Sequence, residues 1–383
     1  MRIFTLTAYE WKKLWKRKNV WVTLGVMAAL IVGIVCASLI GSTNADGKQT
    51  TQMQQMKIER EYARRFSGRA MDDALLAEIR ADGGSGVYRP VEEVIQSFAW
   101  NYEDSSPLDE ESLYQARREY QQVFFDAYRM SQKEQNYWKE WEKQLKLPMV
   151  YGYAGAWENM VGSYLYLIGL MILFLTAICV PGIFTEEHSR RTDQVILCTR
   201  YGKAELYFGK ILAGSLFSVC CCCLLLLVAL VCELVIYGPD GFGAAIQLSI
   251  VQYGLPLSVG AMFLIAVLLL LLVGLFAGIL AMFLAELTQR WVGTMAVLIG
   301  AALVERMVQF PPVTDLMRWL GQFWNYLPAN LLHKESLFDL RLVSVFGIQL
   351  SVWQFAPVLY LLASVLLVWA GKRVYCGYQV QGS

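Results

Sequence analysis

Apolar residues in this chain gather into long blocks instead of alternating with polar ones. The first block covers 20–41 (VWVTLGVMAALIVGIVCASLIG), and others lie at about 162–184, 210–237, 256–285, 291–309 and 353–371. A bilayer core about 30 Å thick takes roughly 20 residues of helix, so each block predicts one membrane span and the chain six. The first block is too long for the apolar part of a secretory signal, and no A-x-A site follows it, so it is expected to stay as an anchor. Between the first two blocks the pattern changes. Residues 50–82 and 107–147, rich in Gln, Glu, Arg, Ala, Met and Leu, predict two helices parted by the flexible break Ala81-Asp82-Gly83-Gly84-Ser85-Gly86. Ser106 is placed to cap the second helix, with Pro107 at its first position and Asp109, Glu110 and Glu111 complementing its dipole; Pro148 closes it. Tyr120, Phe124, Phe125, Tyr128, Tyr137, Trp138 and Trp141 fall largely on one stripe. That stripe is expected to pack the two helices together. A ligand face, or contact with the outer leaflet, are the other readings of it.

Composition sharpens the division. The 383 residues are 56% hydrophobic and 17% charged, with mean hydropathy +0.40 and net charge +1. Residues 42–158 carry 15 basic and 20 acidic side chains, more than half of all the charge. One soluble globular domain is excluded, and with no basic, aromatic-laced face left over, nucleic acid is not an expected partner. Lys and Arg concentrate on the cytoplasmic flanks of spans. Here they cluster before the first block (Arg2, Lys12, Lys13, Lys16, Arg17, Lys18), after the second (Arg190, Arg191, Arg200, Lys203, Lys210) and after the last (Lys372, Arg373). One topology satisfies all three clusters: both termini and the 185–209 loop in the cytoplasm, and 42–158 outside the cell membrane. The expected fold is an all-α polytopic membrane protein, six transmembrane helices with a helical extracytoplasmic insert between spans 1 and 2. Its divisions are 1–19, 20–41, 42–158 and 159–383.

Catalytic chemistry is hard to assemble from these residues. His188 and His333 fall on opposite sides of the predicted membrane and cannot share a zinc, and no H-E-x-x-H occurs. The Gly41 to Gly47-Lys48-Gln49 stretch has one residue too many between its glycines and Gln49 where a phosphate loop needs Ser or Thr. None of the nine cysteines lies in 42–158. The run Cys220, Cys221, Cys222, Cys223 points around a helix, which suits packing better than a metal centre. No cofactor or metal is expected on the chain, and it is not expected to be an enzyme.

Charges inside apolar blocks mark function more often. Glu233 lies about 33 Å along its helix from Ile211, which predicts a wet position at the outer interface. Glu305 and Arg306 are deeper, about 21 Å past Trp291. They fit either a translocation path or the start of an outer loop. Gly25, Ala29, Gly33, Ala37 and Gly41 recur every four residues, a small-residue ridge for close helix packing within one subunit or between two; Gly274/Gly278 and Ala296/Gly300 repeat the theme.

The most distinctive stretch is 183–211, IFTEEHSRRTDQVILCTRYGKAELYFGKI. It leaves span 2 through Glu186-Glu187, passes Arg190-Arg191, turns at Tyr201-Gly202-Lys203 and re-enters the membrane through Lys210. This resembles the permease subunits of ATP-binding cassette transporters of the type-2 exporter class. In that family an acidic pair precedes a short coupling helix, a small turn and a Lys-containing re-entry. The sequence departs from the pattern at Arg190-Arg191-Thr192, where a glycine and a further acid are common, and at Thr199-Arg200, where a proline often stands. YEWKKLWKRKNVWV near the N terminus looks like the family's amphipathic connecting helix, and 310–352, including FWNYLPANLL, is similar to its re-entrant outer segment. The resemblance implies two permeases, identical or related, around a central path. Each would dock a separate ATPase subunit, which holds the ATP and Mg, through a coupling helix at about 187–203. Glu186, Glu187, Arg190, Arg191, Arg200 and Lys203 would form that interface. The implied activity is export of a hydrophobic or amphipathic substrate such as a drug, peptide or lipid. A signal-transmitting or antimicrobial-peptide resistance subunit that does not transport is the alternative.

Overall fold

A computed structural model describes residues 2–45, 48–82, 86–100, 108–190, 192 and 203–377. The chain is mostly helical. At the N terminus, α1 (Arg2–Trp15) is amphipathic; a break at Lys16 and Arg17 separates it from the apolar α2 (Lys18–Ala37). Five helical stretches among the described residues are long and apolar enough to cross a membrane: α2, Gly155–Glu187, Ala204–Tyr237, Val259–Thr288 and Val352–Gly377. The sixth expected span is a shorter helix of 17 residues, Trp291–Met307. At 1.5 Å per residue it reaches about 25 Å, just under the thickness of a bilayer core.

The charged segment is built from more pieces than its sequence suggests. A small antiparallel hairpin, β1 (Ser42–Ala45) and β2 (Lys48–Thr51), leads into α3 (Gln52–Phe66), α4 (Asp73–Asp82), α5 (Arg89–Phe98), α6 (Glu110–Ala127) and α7 (Gln132–Glu142). Two long helices were expected; five short ones form. The first break falls at Gly68, whose φ of +92° continues no helix, and residues 68–71 pair with 149–151 instead. Another falls at Arg129, left-handed at φ 50°, after which Ser131 and Glu134 close a capping box for α7. The expected cap at Ser106 and Pro107 lies outside the described residues, and Asp109 caps α6 through the Ser112 amide.

The remaining elements form the bundle. A short helix, α8 (Gly155–Asn159), runs through a π-turn at Met160–Tyr164 into α9 (Leu165–Cys179), and α10 (Gly182–Ser189) follows. Then come α11 (Ala204–Tyr237), α12 (Val259–Thr288), α13 (Trp291–Met307), α14 (Asp315–Asn325), α15 (Lys334–Leu337), a second hairpin of β3 (Val343–Val345) and β4 (Ile348–Leu350), and α16 (Val352–Gly377). Close packing within the bundle relies on small residues: a Cβ on Gly278 would fall on the Ser218 hydroxyl, and Gly274 faces Cys222. The four-cysteine run divides around α11, with Cys221 and Cys222 buried and Cys223 exposed.

The expectation that the aromatic stripe joins the insert's helices to each other is corrected. Phe66, Leu75, Ile95, Phe98 and Leu113 make a core of their own, which also takes in Leu248 and Val251 from the loop before α12. Phe125 and Trp138 belong to the bundle's core instead. Trp138 is fully buried; its indole nitrogen donates to the Leu340 carbonyl at 2.7 Å and its ring lies 5.2 Å from Tyr253. Polar bonds complete the seam. Arg117 pairs with Glu142 and donates to the Tyr253 carbonyl, Gln121 donates to the Gln252 carbonyl, and Glu134 receives both Arg318 and the Leu342 amide. Periodicity identifies residues that share a face, but the partners of that face are more than a hundred residues away, at Tyr253 and Leu340. Replacing Trp138 by Ala is expected to destabilise this attachment by about 3–5 kcal/mol, and Trp138→Phe by about 1 kcal/mol. Thermal unfolding together with hydrogen exchange across α6 and α7 measures both.

Candidate functional site

At the end of the bundle that carries α1, three elements meet around buried charge. Residue 209 is glycine, so α1 lies close against α11: a Cβ there would stand 3.1 Å from that of Leu6. One residue on, Lys210 is 0% exposed. Its ammonium donates to the Glu187 carboxylate at 2.7 Å and the Ile183 carbonyl at 2.9 Å, with Glu10 at 3.6 Å and the Phe184 ring beneath it. Lys13 reaches the same Glu187 oxygen at 3.4 Å. Glu186 turns the other way. It takes Arg17 at 2.6 Å and Arg190 at 2.8 Å, and Arg17 also donates to the Gly182 carbonyl. A Cβ at 182 would displace that guanidinium, so glycine there leaves room for the Arg17 bonds.

A buried ammonium is tolerable only when charge and hydrogen bonds compensate it, and here α1, α10 and α11 each contribute. The loop between α10 and α11 therefore has both of its roots fastened to each other and to the N-terminal helix. Among the described residues this is a connector made of ion pairs and hydrogen bonds that joins α1, α10 and α11.

The predicted interface residues divide accordingly. Glu186 and Glu187 face inward onto their own cations. Arg190, with 71% of its side chain exposed, and Lys203 remain accessible. Arg191 and Arg200, like most of the expected coupling helix at 187–203, lie outside the described residues. Sequence reasoning placed Lys210 in the motif but missed Glu10, Lys13 and Arg17 as its complement. The one available signal was Glu10, a single acid in a strongly basic amphipathic segment.

The small-residue ridge faces out of the subunit. Val20, Leu24, Met27, Ile31 and Val35 form the buried face of α2, whereas Gly25, Ala29, Gly33 and Ala37 are exposed, and a Cβ on Gly25 or Gly33 would meet nothing within 4 Å. Gly41 follows the helix end and is not on the ridge. Gly300 of α13 is similarly open. Between α2, α10 and α13 a cleft of about 700 Å³ opens at the base, lined by Arg17, Asn19, Glu186, Arg290 and Trp291.

At the opposite end the expected wet position of Glu233 is corrected: the residue is 0% exposed and accepts a hydrogen bond from Asn159 at 3.0 Å. The helical depth was sound, but the segment before α9 covers that end of α11. Glu305 and Arg306 end α13 and brace it. The Glu305 carboxylate accepts the Ala329 amide at 2.8 Å, and its carbonyl accepts Trp324 and Asn330. Arg306 donates to the Asn330 side-chain oxygen and lies over the Tyr166 ring. Beside it, burial and then the Arg306 charge hold His333 below the usual imidazole value.

The architecture is a helical bundle in which five helices among the described residues are long and apolar enough to cross a membrane. Residues 102–333, more than half the chain, match the family model described as ABC-2 family transporter protein, and the chain belongs to that family as an ABC-2 type permease. No individual curated protein matches the sequence.

Replacing Lys210 by Met leaves Glu187 and Glu10 without their buried cation, and is expected to cost about 3–5 kcal/mol. Arg190→Ala, at an exposed pair, is expected to cost less than about 1 kcal/mol. Thermal unfolding of the two purified variants checks the contrast.

Proposed function

We propose that this protein is the transmembrane subunit of an ATP-binding cassette exporter, with both termini and the 185–209 loop in the cytoplasm and the 42–158 segment outside the plasma membrane. The connector carries the reading. Glu187, Lys210 and Glu10 tie the roots of the loop to α1, as a permease driven through that loop by a separate ATPase requires. Residues 1–19 act as the connecting helix, α13 as the fifth of six spans, and 310–352 as the re-entrant outer segment. ATP and Mg belong to the partner subunit. Arg190 and Arg191, with Arg200 and Lys203, supply positive charge for acids on that ATPase.

A second permease, identical or related, completes the path. The exposed ridge of α2 supports this, because a smooth helix face in lipid gains dispersion contacts from another helix that lipid chains fill less well. The cleft between α2, α10 and α13 then opens toward the partner and receives a hydrophobic or amphipathic substrate. The alternative is a transmitting or antimicrobial-peptide resistance subunit. It draws on the firm seam between insert and bundle, through which a ligand held outside would reach the spans without crossing them.

Co-purification of an ATPase from the native host, with loss of that complex in Arg190→Glu/Arg191→Glu, is the expected result; an unchanged complex overturns the docking assignment. Obstructing the basal cleft abolishes efflux in an exporter and spares the response of a transmitter. Gly33→Leu is expected to leave the subunit folded, since its Cβ meets nothing, and to weaken permease pairing by about tenfold or more in native mass spectrometry or cross-linking.

A further inference from the structure

The basal cleft of about 700 Å³ changes character along its depth. Arg17, Asn19 and Arg290 stand at its base, and Val20, Ile178 and Val292 wall it beside them. The flanking helices α2 and α13 begin at Lys18 and Trp291, so the change from polar to apolar falls where both apolar helices start. A membrane has the same profile at the boundary between headgroups and acyl chains. Trp291, a residue type that favours that boundary, donates its indole N–H to the Ile178 carbonyl at 2.9 Å and pins the start of α13 to α9.

The charges in the cleft differ in their commitments. Glu186, the single acid among the described residues of its wall, is held by Arg17 at 2.6 Å and by Arg190 at 2.8 Å. Arg17 also donates to the Gly182 carbonyl. Arg290 is exposed and enters no ion pair among the described residues. Its backbone, by contrast, is fixed. Gln289 before it is left-handed at φ 53°, and the Arg290 carbonyl accepts the Thr288 hydroxyl at 3.3 Å and the Thr294 hydroxyl at 3.1 Å. A left-handed residue other than glycine is costly, and such strain gathers at binding sites.

Three arginines thus meet one carboxylate, an excess of two positive charges. A cationic ligand would face that excess, and a small inorganic anion would leave the apolar wall unused. An anionic head on an apolar tail satisfies both parts. We propose that the cleft binds an anionic amphipath, with its phosphate or carboxylate on Arg290 and its tail along Val20, Ile178 and Val292. Basic pockets between spans on the cytoplasmic side take anionic headgroups in the same manner. The proposal deepens the exporter reading and rests on it for the placement of this end at the inner leaflet. An anionic phospholipid of that leaflet and an exported anionic amphipath share the chemistry.

The test is native mass spectrometry of the full-length protein in detergent, titrated with dioleoyl phosphatidylglycerol and with the tail-matched zwitterion dioleoyl phosphatidylcholine. Saturable binding of phosphatidylglycerol, at least about fivefold tighter than phosphatidylcholine, is expected. Arg290→Gln should remove that preference and Arg290→Lys keep most of it. Asn19→Trp, which fills the cleft from α2 and leaves Arg290 in place, should weaken phosphatidylglycerol binding by a similar factor. Lys12→Gln, on the exposed face of α1 and outside the cleft, should stay within about twofold of the parent. Thermal unfolding confirms that each variant is folded. Equal affinity for the two lipids, or Arg290→Gln and Asn19→Trp both binding within about twofold of the parent, overturns the proposal. So does a loss in Lys12→Gln as large as in Arg290→Gln, which assigns the binding to the general basic surface. Binding in detergent needs neither an ATPase nor an orientation, so such a failure is separate from failure of the exporter reading, which ATPase co-purification measures. Competition with dodecyl phosphate separates the two sources: phosphatidylglycerol that it does not displace is a resident lipid, and displacement identifies a site open to a transported amphipath.

Discussion

The buried Lys210 ammonium is the constraint from which the rest of the base follows. An ammonium inside a helical bundle must be neutralised and hydrogen-bonded on the spot, and the only way this chain does so is to bring three distant segments to one point. Glu187 arrives from the end of α10, Ile183 supplies a carbonyl one turn earlier, and Glu10 comes from the N-terminal helix. Once these are in place, α1 has no freedom to lie elsewhere, and the break at Lys16 and Arg17 sets where α2 enters the bundle. Arg17 then closes the arrangement on Glu186. Charge that would be a liability in an isolated span becomes the joint that couples a loop to three helices.

The two ends of the bundle use polar groups differently. At the base, acids and cations alternate in a chain that reaches the exposed Arg190, so part of the network is open to a partner. At the opposite end, Glu134, Arg117, Gln121 and Trp138 are spent on holding the insert down, and Glu305 and Arg306 on bracing the end of α13. The insert is thus a built-in part of the bundle's rim. One helical run, from Gly155 through the π-turn to Ser189, touches both regimes.

Much of this was legible in the sequence wherever the determining physics is local. Apolar length alone locates five helices long enough to cross a membrane, and the acidic pair with its following lysine marks groups that meet in the basal ion-pair network. Of the aromatic positions on 120–141, Phe125 and Trp138 share the bundle's core, while Tyr120 packs on the insert's own. What failed was everything that depends on the opposite face. Helical rise gives the depth of Glu233 along α11 but says nothing about Asn159 folding over it. The five-residue ridge was legible as a smooth surface, yet only the burial of Val20, Leu24 and Met27 reveals that it points away from its own subunit. Arg129 in a left-handed turn leaves no composition signal at all, in contrast to Gly68.

The span between the partners of the basal joint also sets an order of assembly. Glu10 and Lys210 are separated by just over half of the chain, and at roughly 5–20 residues per second a ribosome takes about 10–40 s to bridge them. Through that interval α1 has neither its glycine-floored groove on α11 nor its counter-charges. Its basic, tryptophan-bearing face has the leaflet surface as its natural resting place. The N-terminal helix is thus made first and seated late, after α10 and α11 have supplied the groups it docks on.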